Sequence, residues 1–291
     1  MPLGQNLAFF NERFIDPNER VLPVEERGLQ FGDGVYEMIR LYRGVPFTLQ
    51  EHLDRLEQSA HSIMLTLPKT VEEIAAIVQA GIAQTKIAEG TVYIQVTRGT
   101  APRNHLFPEE VAANLFIVWK EGVPDLGKQQ EVGVVVFTFP DERWHNCYIK
   151  SICLLPNVLA KEKAHQRGGH EAIFIRDNEV KEGTSTNLFI VKDGVFKTPI
   201  ADQSILNGIT RQKIIEILKK QDVPVLETRL TMEDIEVADE VIITSTTQEA
   251  VPVVQVNDRK VGAGKPGVYF QKLAAWFQKE VDQSCSSSSG K

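Results

Sequence analysis

The sequence predicts an α+β fold divided into two domains. Three observations lead to this prediction: the first half alternates β-rich runs with amphipathic helices, the second half is dominated by short strands, and a polar stretch without periodicity separates the two halves. With 291 residues, of which 42% are hydrophobic and 24% charged, the chain is large enough for two modest domains that each bury a core.

Two capping boxes predict where the helices of the first half begin. Thr48 and Glu51 form the first box, and Thr70 and Glu73 form the second. Apolar residues recur at spacings of three and four after each box, which predicts one buried face per helix. Residues of high β propensity predict strands at Leu7–Phe10, Arg13–Ile15, Val35–Tyr42, Thr91–Thr97 and Asn114–Trp119.

Composition predicts the domain ranges. Residues 121–130 are polar and include glycine and proline, so they are predicted to link an N-terminal domain of residues 1–120 to a C-terminal domain of residues 131–283. The serine-rich residues 284–291 are predicted to be a disordered tail. The second half is predicted to hold strands at 132–139, 147–152, 171–176, 179–182, 187–191 and 240–245, and helices at 156–166 and from about 210.

Charge, hydropathy and cysteine content exclude several classes of protein. A net charge of −7 argues against a nucleic-acid partner. No apolar run approaches the roughly 20 residues that a membrane span requires, so we expect no membrane partner. The three cysteines show neither a disulfide framework nor a metal-binding spacing. These features predict a cytoplasmic protein that binds no metal.

Lys150 is the first candidate for chemistry. It is the only charged residue in the nine residues 147–155, and lysine is rarely buried without a reason. Desolvation lowers the pKa of an amine and makes it a nucleophile towards carbonyl groups. The alternative is a lysine whose stem is buried while its ammonium group reaches water.

Two segments of the second half have the residues needed to bind a phosphorylated ring. Glu182 ends an apolar-flanked strand and is a candidate partner for a protonated ring nitrogen, and hydroxyl residues that include Ser185 follow it. Gly208 precedes Ile209 and Thr210, whose backbone N–H groups would lie at a helix N-terminus, where phosphate is favoured. Each segment alone is equally consistent with an ordinary turn or helix start.

Further candidates lie on a helix, at a strand end and in a loop. Arg55 is at the edge of the apolar face of the first long helix, from which a guanidinium group can reach a phosphate. Thr246 belongs to a run of hydroxyl residues at the end of a predicted strand. Arg103 and His105 stand two apart in a loop, so an extended backbone would point both towards one carboxylate. A surface arginine, a turn and a solvated basic loop are the plain alternatives.

Taken together, these segments resemble the D-amino-acid aminotransferases of the class-IV, fold-type-IV family, which use pyridoxal 5'-phosphate (PLP). The resemblance is in order and covers nearly the whole chain, and seven matching segments in sequence are far more specific than any one of them. They are RGLQFGDGVYE (27–37), EHLDRL (51–56), QVTRGTAPRNHLFP (95–108), IKSICLLPNVLAKEKAH (149–165), EGTSTNLF (182–189), LNGITR (206–211) and TSTTQE (244–249).

The resemblance implies a smaller N-terminal α/β domain, a larger C-terminal pseudo-barrel domain and a set of residue roles. Lys150 would bind PLP covalently and move the substrate's α-proton, Glu182 would pair with the pyridine nitrogen, and Leu206 would support the ring. The implied phosphate ligands are Arg55, Ser185, Ile209, Thr210 and Thr246. Tyr36, Arg103 and His105 resemble the trap for the substrate carboxylate, and Met38 lies at a side-chain-pocket position.

The implied reaction is a ping-pong transamination between a D-amino acid and a 2-oxo acid. The resemblance also implies a homodimer, because Arg103 and His105 would reach in from the neighbouring subunit. Four alternatives share the scaffold: a branched-chain L-amino-acid aminotransferase, an aminodeoxychorismate lyase, an (R)-selective amine transaminase and a binding protein that has lost catalysis. The Arg103–His105 pair beside Tyr36 favours the D-amino-acid reading, since the position of the carboxylate decides which hydrogen faces the lysine.

Overall fold

The computed structural model describes residues 6–123 and 125–288, which divide into two compact units. The first unit contains residues 6–123, Ile149–Cys153 and 284–288, and the second contains residues 125–148 and 154–283. Ile149–Cys153, which carries Lys150, therefore groups with the first unit, whereas the sequence-based ranges placed it in the C-terminal domain. Among the described residues, no helix combines the length and the apolar character needed to cross a membrane.

A six-stranded antiparallel sheet covered by helices forms the first unit. The strands lie in the order β2-β1-β6-β5-β3-β4. The elements are β1 (Leu7–Phe10), β2 (Arg13–Ile15), α1 (Arg27–Phe31), β3 (Gly34–Tyr42), β4 (Val45–Pro46), α2 (Leu49–Ser62), α3 (Val71–Thr85), β5 (Gly90–Thr97) and β6 (Asn114–Glu121).

Alternation along β3 sends neighbouring side chains to opposite faces of this sheet. Val35 and Ile39 are buried in the core that α2 and α3 share with the strands, whereas Tyr36 is only half-buried. Gly81 allows α3 to pack closely on the sheet, because a Cβ atom there would lie 2.2 Å from the ring of Trp119. The core therefore fixes β3, and β3 in turn fixes the direction of Tyr36.

A mixed nine-stranded sheet, curled as a half-barrel, forms the second unit. The order is β12-β11-β10-β13-β14-β7-β8-β9, with β15 paired to β14. Its elements are α4 (Gly127–Val132), β7 (Val134–Pro140), α5 (Leu155–Gln166), β8 (Glu171–Arg176), β9 (Glu179–Gly183), β10 (Asn187–Lys192), β11 (Val195–Pro199), α6 (Ile209–Lys220), β12 (Val225–Thr228), α7 (Met232–Glu236), β13 (Glu240–Ser245), β14 (Glu249–Val256), β15 (Arg259–Lys260) and α8 (Val268–Ser288).

Parallel and antiparallel pairs coexist in this sheet. β7 pairs in parallel with both β14 and β8, whereas β10 pairs antiparallel with β11 and β13. The β10–β11 hairpin turns at Asp193 and Gly194, as the sequence predicted, and both residues have positive φ. Aliphatic side chains of β7, β10, β13 and β14 fill the core beneath the sheet.

Four local predictions were wrong. Thr48 precedes α2 but has a φ of 53° and makes no side-chain capping bond, so the first capping box does not form. Residues 147–152 are irregular rather than a strand, apart from one bridge between Ser151 and Val35. Residues 284–288 belong to α8 rather than to a disordered tail, and residues 289–291 lie outside the described residues. The predicted linker of residues 121–130 contains the start of α4.

Candidate active site

Lys150 is fixed through its backbone within the first unit. Its carbonyl accepts a hydrogen bond of 3.0 Å from the N–H of Tyr36, and its own N–H donates to Ser59 Oγ at 3.2 Å. The half-buried ammonium group lies 4.3 Å from the centroid of the Tyr36 ring. In the described part of the first unit, no carboxylate forms an ion pair with Lys150. The backbone of Lys150 is therefore held in place, while its primary amine forms no salt bridge in the described part of the unit.

The face of the sheet next to Lys150 is lined by side chains of β3 and β5. Tyr36 and Met38 lie directly across from Gln95 and Tyr93, and the rings of Tyr36 and Tyr93 are 5.7 Å apart. The Tyr93 hydroxyl donates to Gln95 Oε1 at 2.6 Å. Burial, and secondarily the neighbouring Tyr36, raises the pKa of Tyr93 to about 12, so Tyr93 remains a neutral phenol near neutral pH.

Tyr93 and Gln95 were not among the sequence candidates. Both predicted strands were correct, and both residues alternate with buried residues in the second of them. The pairing register between the strands was the missing information, because it decides which residues face Tyr36 and Met38.

The opposite face of β3 holds a buried group of charges. Arg55 Nε and Nη2 donate to the two carboxylate oxygens of Glu37 at 2.6 and 2.8 Å. His52 Nδ1 is 2.7 Å from Glu37 Oε2. Glu37 is fully buried, and burial alone would raise its pKa, but Arg55 and His52 outweigh that effect and hold the pKa far below its ordinary value. Arg55, predicted as a phosphate ligand, is therefore oriented by Glu37.

Glu37 was also missed by the sequence reasoning. Two signals were present: a single carboxylate within an apolar strand, and His52 and Arg55 one turn apart on the helix that follows. Burial lowers the pKa of His52, and the charges of Arg55 and Lys150 lower it further against the opposing effect of Glu37. His52 is therefore a neutral imidazole that donates from Nδ1.

The predicted carboxylate-binding pair meets at one aromatic ring. The guanidinium carbon of Arg103 is 4.8 Å from the centroid of Phe31, and the rings of Phe31 and His105 are 5.4 Å apart. Both polar side chains are exposed. Within the described part of the first unit, no hydrogen bond or ring contact joins Arg103 or His105 to Tyr36 of the same chain.

Glu182 lies at the centre of a buried polar cluster in the second unit. Its carboxylate accepts hydrogen bonds from Arg143 Nη1 at 2.6 Å, from Asn187 Nδ2 at 3.1 Å and from the Leu206 N–H at 3.1 Å. Donors of this kind favour the charged form of a carboxyl group. A carboxylate held in this way is suited to face a cationic ring nitrogen.

Arg143 is itself held in place by acids. Asp141 accepts from its Nε at 2.8 Å and also pairs with Arg176 at 2.9 Å. Burial would lower the pKa of Arg143, but the hydrogen bond with Asp141 and the charge of Glu182 raise it well above the ordinary value. Neither Arg143 nor Asn187 was predicted. Arg143 reaches Glu182 across 39 positions, whereas Asn187 reaches it across the turn between β9 and β10.

Ser185 is surrounded differently from what the sequence suggested. The hydroxyls of Thr184, Ser185 and Thr186 donate to the buried carboxylate of Glu171 at 2.5, 3.2 and 3.3 Å. The exposed Ser185, a predicted phosphate ligand, thus already has a protein acceptor. Its hydroxyl would have to leave Glu171 in order to donate to a phosphate.

The start of α6 has the features of an anion site. Gly208 is its N-cap and no side chain caps the helix, so the N–H groups of Ile209 and Thr210 have no partner within the helix. A Cβ atom at Gly208 would lie 2.1 Å from Asn187 Oδ1, so glycine allows the Asn187 amide to reach both Glu182 and the carbonyl of Leu206.

The residues of the second unit fit a phosphorylated pyridine. Thr244, paired across the sheet with Asn187, has a buried hydroxyl without a hydrogen-bond partner in the described structure. Thr246 is half-buried in the turn that follows β13. The buried Glu182 carboxyl group, an uncapped helix start and the unpartnered Thr244 hydroxyl supply what the ring nitrogen and the phosphate each require.

Comparison with known proteins identifies the family. The family described as amino-transferase class IV matches residues 34–256, and the chain belongs to this family. Its members use PLP as cofactor, so the chain is a PLP-dependent aminotransferase. Among solved structures, the branched-chain amino acid aminotransferase of Escherichia coli has a TM-score of 0.86 at 26% identity and covers 92% of each chain. A branched-chain aminotransferase of Thermoproteus uzoniensis, solved with norvaline, has a TM-score of 0.85 at 28% identity and covers 94% of this chain and 93% of its own.

Among curated proteins, the similarity is to a narrower group. The D-alanine aminotransferase of Listeria monocytogenes serotype 4b (strain F2365) is 44% identical over 277 residues, which cover 94% of this chain and 96% of the relative. The D-alanine aminotransferase of Staphylococcus haemolyticus is 42% identical and covers 96% of this chain and 99% of its own length. These D-alanine aminotransferases are more similar to this chain in sequence than the two branched-chain enzymes are.

Proposed function

We propose that this chain is a D-amino-acid aminotransferase that transfers the amino group of a D-amino acid to a 2-oxo acid such as 2-oxoglutarate or pyruvate. The observation that carries the proposal is the amine of Lys150, which lies over the Tyr36 ring without an acid partner among the described residues of its own unit. The similarity to D-alanine aminotransferases over almost the whole chain supports the choice of the D series.

The resemblance to the family assigns a role in holding the cofactor to several residues. Glu182 would face the pyridine nitrogen, Leu206 would support the ring, and Lys150 would bind it covalently. Five residues would bind the phosphate. Ile209 and Thr210 lie at the start of α6, Thr246 lies in the turn after β13, and Arg55 and Ser185 would contribute their side chains. When bound, PLP supplies an electron-withdrawing ring that makes the substrate's α-proton labile.

The chain's own residues supply proton transfer and orientation. Lys150 Nζ accepts the proton from the substrate's Cα and later returns it, which is general acid–base catalysis by one group. Glu182, oriented by donors that include Arg143, Asn187 and the Leu206 N–H, holds a proton on the ring nitrogen. Tyr36, Arg103 and His105 bind the α-carboxylate and so decide which face of Cα is turned towards Lys150, while Met38 lines the side-chain pocket.

Assembly and location are part of the proposal. The enzyme would act as a homodimer in which Arg103 and His105 serve the neighbouring subunit, since in their own chain they contact Phe31 and not Tyr36. It would work in the cytoplasm. Among the described residues, Cys147, Cys153 and Cys285 form no disulfide, which suits a reducing compartment.

A branched-chain L-amino-acid aminotransferase is the second candidate, because such enzymes share the fold at TM-scores of 0.85 and 0.86. Initial rates with the D- and L-forms of alanine, glutamate and leucine, each with 2-oxoglutarate or pyruvate as acceptor, separate the two. The proposal predicts turnover of the D-forms and little with the L-forms. Preferential turnover of L-leucine would support the second candidate instead.

A further inference from the structure

We propose that Arg27 is a positioning residue that orders the loop carrying Arg103 and His105, and thereby sets the enzyme's affinity for substrate carboxylates. The inference rests on the proposed function, in which this loop binds the α-carboxylate. The loop, residues 98–113, joins β5 to β6 and is here named the Arg-x-His loop. All of the contacts that support the inference lie within the first unit.

The Arg27 side chain reaches the loop between its two functional residues. Nη1 donates to the carbonyl of Asn104 at 2.7 Å, and that carbonyl lies between Arg103 and His105 in sequence. The same nitrogen is 3.4 Å from the carbonyl of Leu106. Arg27 is only 3% exposed, whereas residues 102–107 are exposed. A buried cation thus holds an exposed loop by its backbone, at the point where small displacements would move both side chains.

Phe31 completes the support from below. The guanidinium carbons of Arg27 and Arg103 are each 4.8 Å from its ring centroid, and the His105 ring is 5.4 Å away. Phe31 ends α1, the short helix that begins at Arg27, so one five-residue element supplies both the buried donor and the aromatic platform. Arginine suits this position because its fork can bind an acid and a carbonyl at once.

The fold has a separate anchor that does not depend on Arg27. Arg98 Nε donates to both oxygens of Asp33 at 3.1 and 2.9 Å, while Arg27 Nε donates to one of them at 2.9 Å. Arg98 also donates to the carbonyls of Ile63 and Met64 at the end of α2. Removing Arg27 therefore leaves Asp33 paired with Arg98, and the losses are the bond to the loop, one of the bonds to Asp33 and the contact with the Phe31 ring.

The test compares three variants of the PLP-loaded enzyme with wild type: Arg27→Gln, Arg103→Ala as the direct loss of a carboxylate donor, and Arg13→Gln as an exposed control. Arg27→Gln should raise KM for D-alanine about tenfold, the factor expected for loss of one charge-assisted contact, with a smaller change in kcat. Amide hydrogen exchange should accelerate in residues 98–113 and remain unchanged in α2 and α3. Arg27→Lys, which keeps the charge beside Asp33, should recover part of both effects.

Each outcome has one meaning. Accelerated exchange in the loop together with a raised KM supports the inference. Unchanged exchange, or accelerated exchange with an unchanged KM, overturns it. Failure of the proposed function has a different signature: the wild-type enzyme would not transaminate D-alanine, and Arg103→Ala would have no substrate affinity to weaken. In that case unchanged loop exchange in Arg27→Gln would still reject the positioning role.

Discussion

Lys150 is fixed in place by its backbone, while its side chain is left free to react. Tyr36 and Ser59 hold the peptide groups on either side of its Cα, and the amine lies over an aromatic ring rather than against a carboxylate. In the described part of the first unit, no acid therefore occupies the Lys150 amine.

Replacing this amine tests its role directly. We expect Lys150→Ala to abolish turnover while PLP still binds without a covalent bond, because the contacts to the phosphate and ring nitrogen remain. Borohydride reduction of the wild-type holoenzyme followed by peptide mapping should place the cofactor on the peptide that contains Lys150. Lys69→Ala, which removes a lysine paired with the exposed Glu12, should behave as wild type. Label recovered on a different lysine would reject the assignment.

At this scale the sequence identified residues whose type is unusual for their surroundings. Lys150 stood out as a charge in an apolar run, and Glu182 as an acid that ends a buried strand. The partners that orient the site were not predictable in the same way. Glu37 meets Arg55 across 18 positions, and Arg143 meets Glu182 across 39. Such pairs depend on which elements pack together, and no local pattern records that.

Helix starts and strand register position the site at the scale of the element. Thr70 accepts from the N–H of Glu73, whose side chain accepts from the N–H of Thr70, so the second capping box forms as predicted. Thr48 has a left-handed backbone that turns its side chain away from the first turn of α2, and its hydroxyl donates instead to the carbonyl of Phe47. The same sequence pattern therefore gives a capping box at Thr70 but not at Thr48, because the backbone conformation differs between the two residues.

The two threonines make a matched pair of substitutions. Thr70→Ala should lower the free energy of unfolding by about 1 kcal/mol, the usual cost of losing an N-cap side chain. Thr48→Ala should cost clearly less, since no capping bond is lost there. Urea denaturation of the two variants and wild type, monitored by circular dichroism, provides the comparison. Equal losses of stability would show that the box at Thr70 contributes nothing of its own.

Most helices and strands were predictable, because the spacing of their apolar residues follows directly from which face of the element is buried. β8 and β13 agree with the predicted bounds to the residue, and α5 begins one residue earlier than predicted. Residues 147–152 misled for a physical reason. An apolar, β-rich run was read as a strand, but its hydrogen bonds are divided among β3, α2 and the loop residue Gln203. A segment that crosses between elements can look like a strand without pairing as one.

Across the whole molecule, buried titratable groups tie stability to pH. Burial lowers the pKa of His52 from its ordinary value of 6.5, so below that pH the unfolded chain takes up a proton that the folded chain resists. Arg55 and His52 hold the pKa of Glu37 below its ordinary value of 4.5 against the effect of burial, and this adds stability above pH 4.5 that is lost as the pH falls further. Both groups therefore destabilise the fold in acid.

We expect stability to decline as the pH falls below 6.5, with a contribution from His52 of at most about 1.4 kcal/mol per pH unit. His52→Gln keeps a donor for Glu37 but removes the titration, so its stability should depend less on pH in this window. The control is His61→Gln, which alters an exposed histidine of the same helix. Denaturant midpoints measured across the window decide the matter, and parallel curves for His52→Gln and wild type would contradict the prediction.

The division into two units was only partly accessible from composition. The first unit's long segment ends at residue 123, within the stretch that was predicted as a linker, but the same stretch also contains the start of α4. The return of Ile149–Cys153 to the first unit has no compositional signal, since it depends on the bonds that Tyr36 and Ser59 make with Lys150.

The central claim is that Lys150 and PLP act on the D-form of the substrate. It is tested most directly by mixing the PLP-loaded enzyme with D-alanine or with L-alanine, in the absence of an oxo acid, and following the long-wavelength absorption of the lysine-bound cofactor. We predict that the band is lost with D-alanine, returns when 2-oxoglutarate is added, and persists with L-alanine. Two results would contradict the account: a band that is lost with L-alanine but not with D-alanine, and the absence of such a band after reconstitution with PLP.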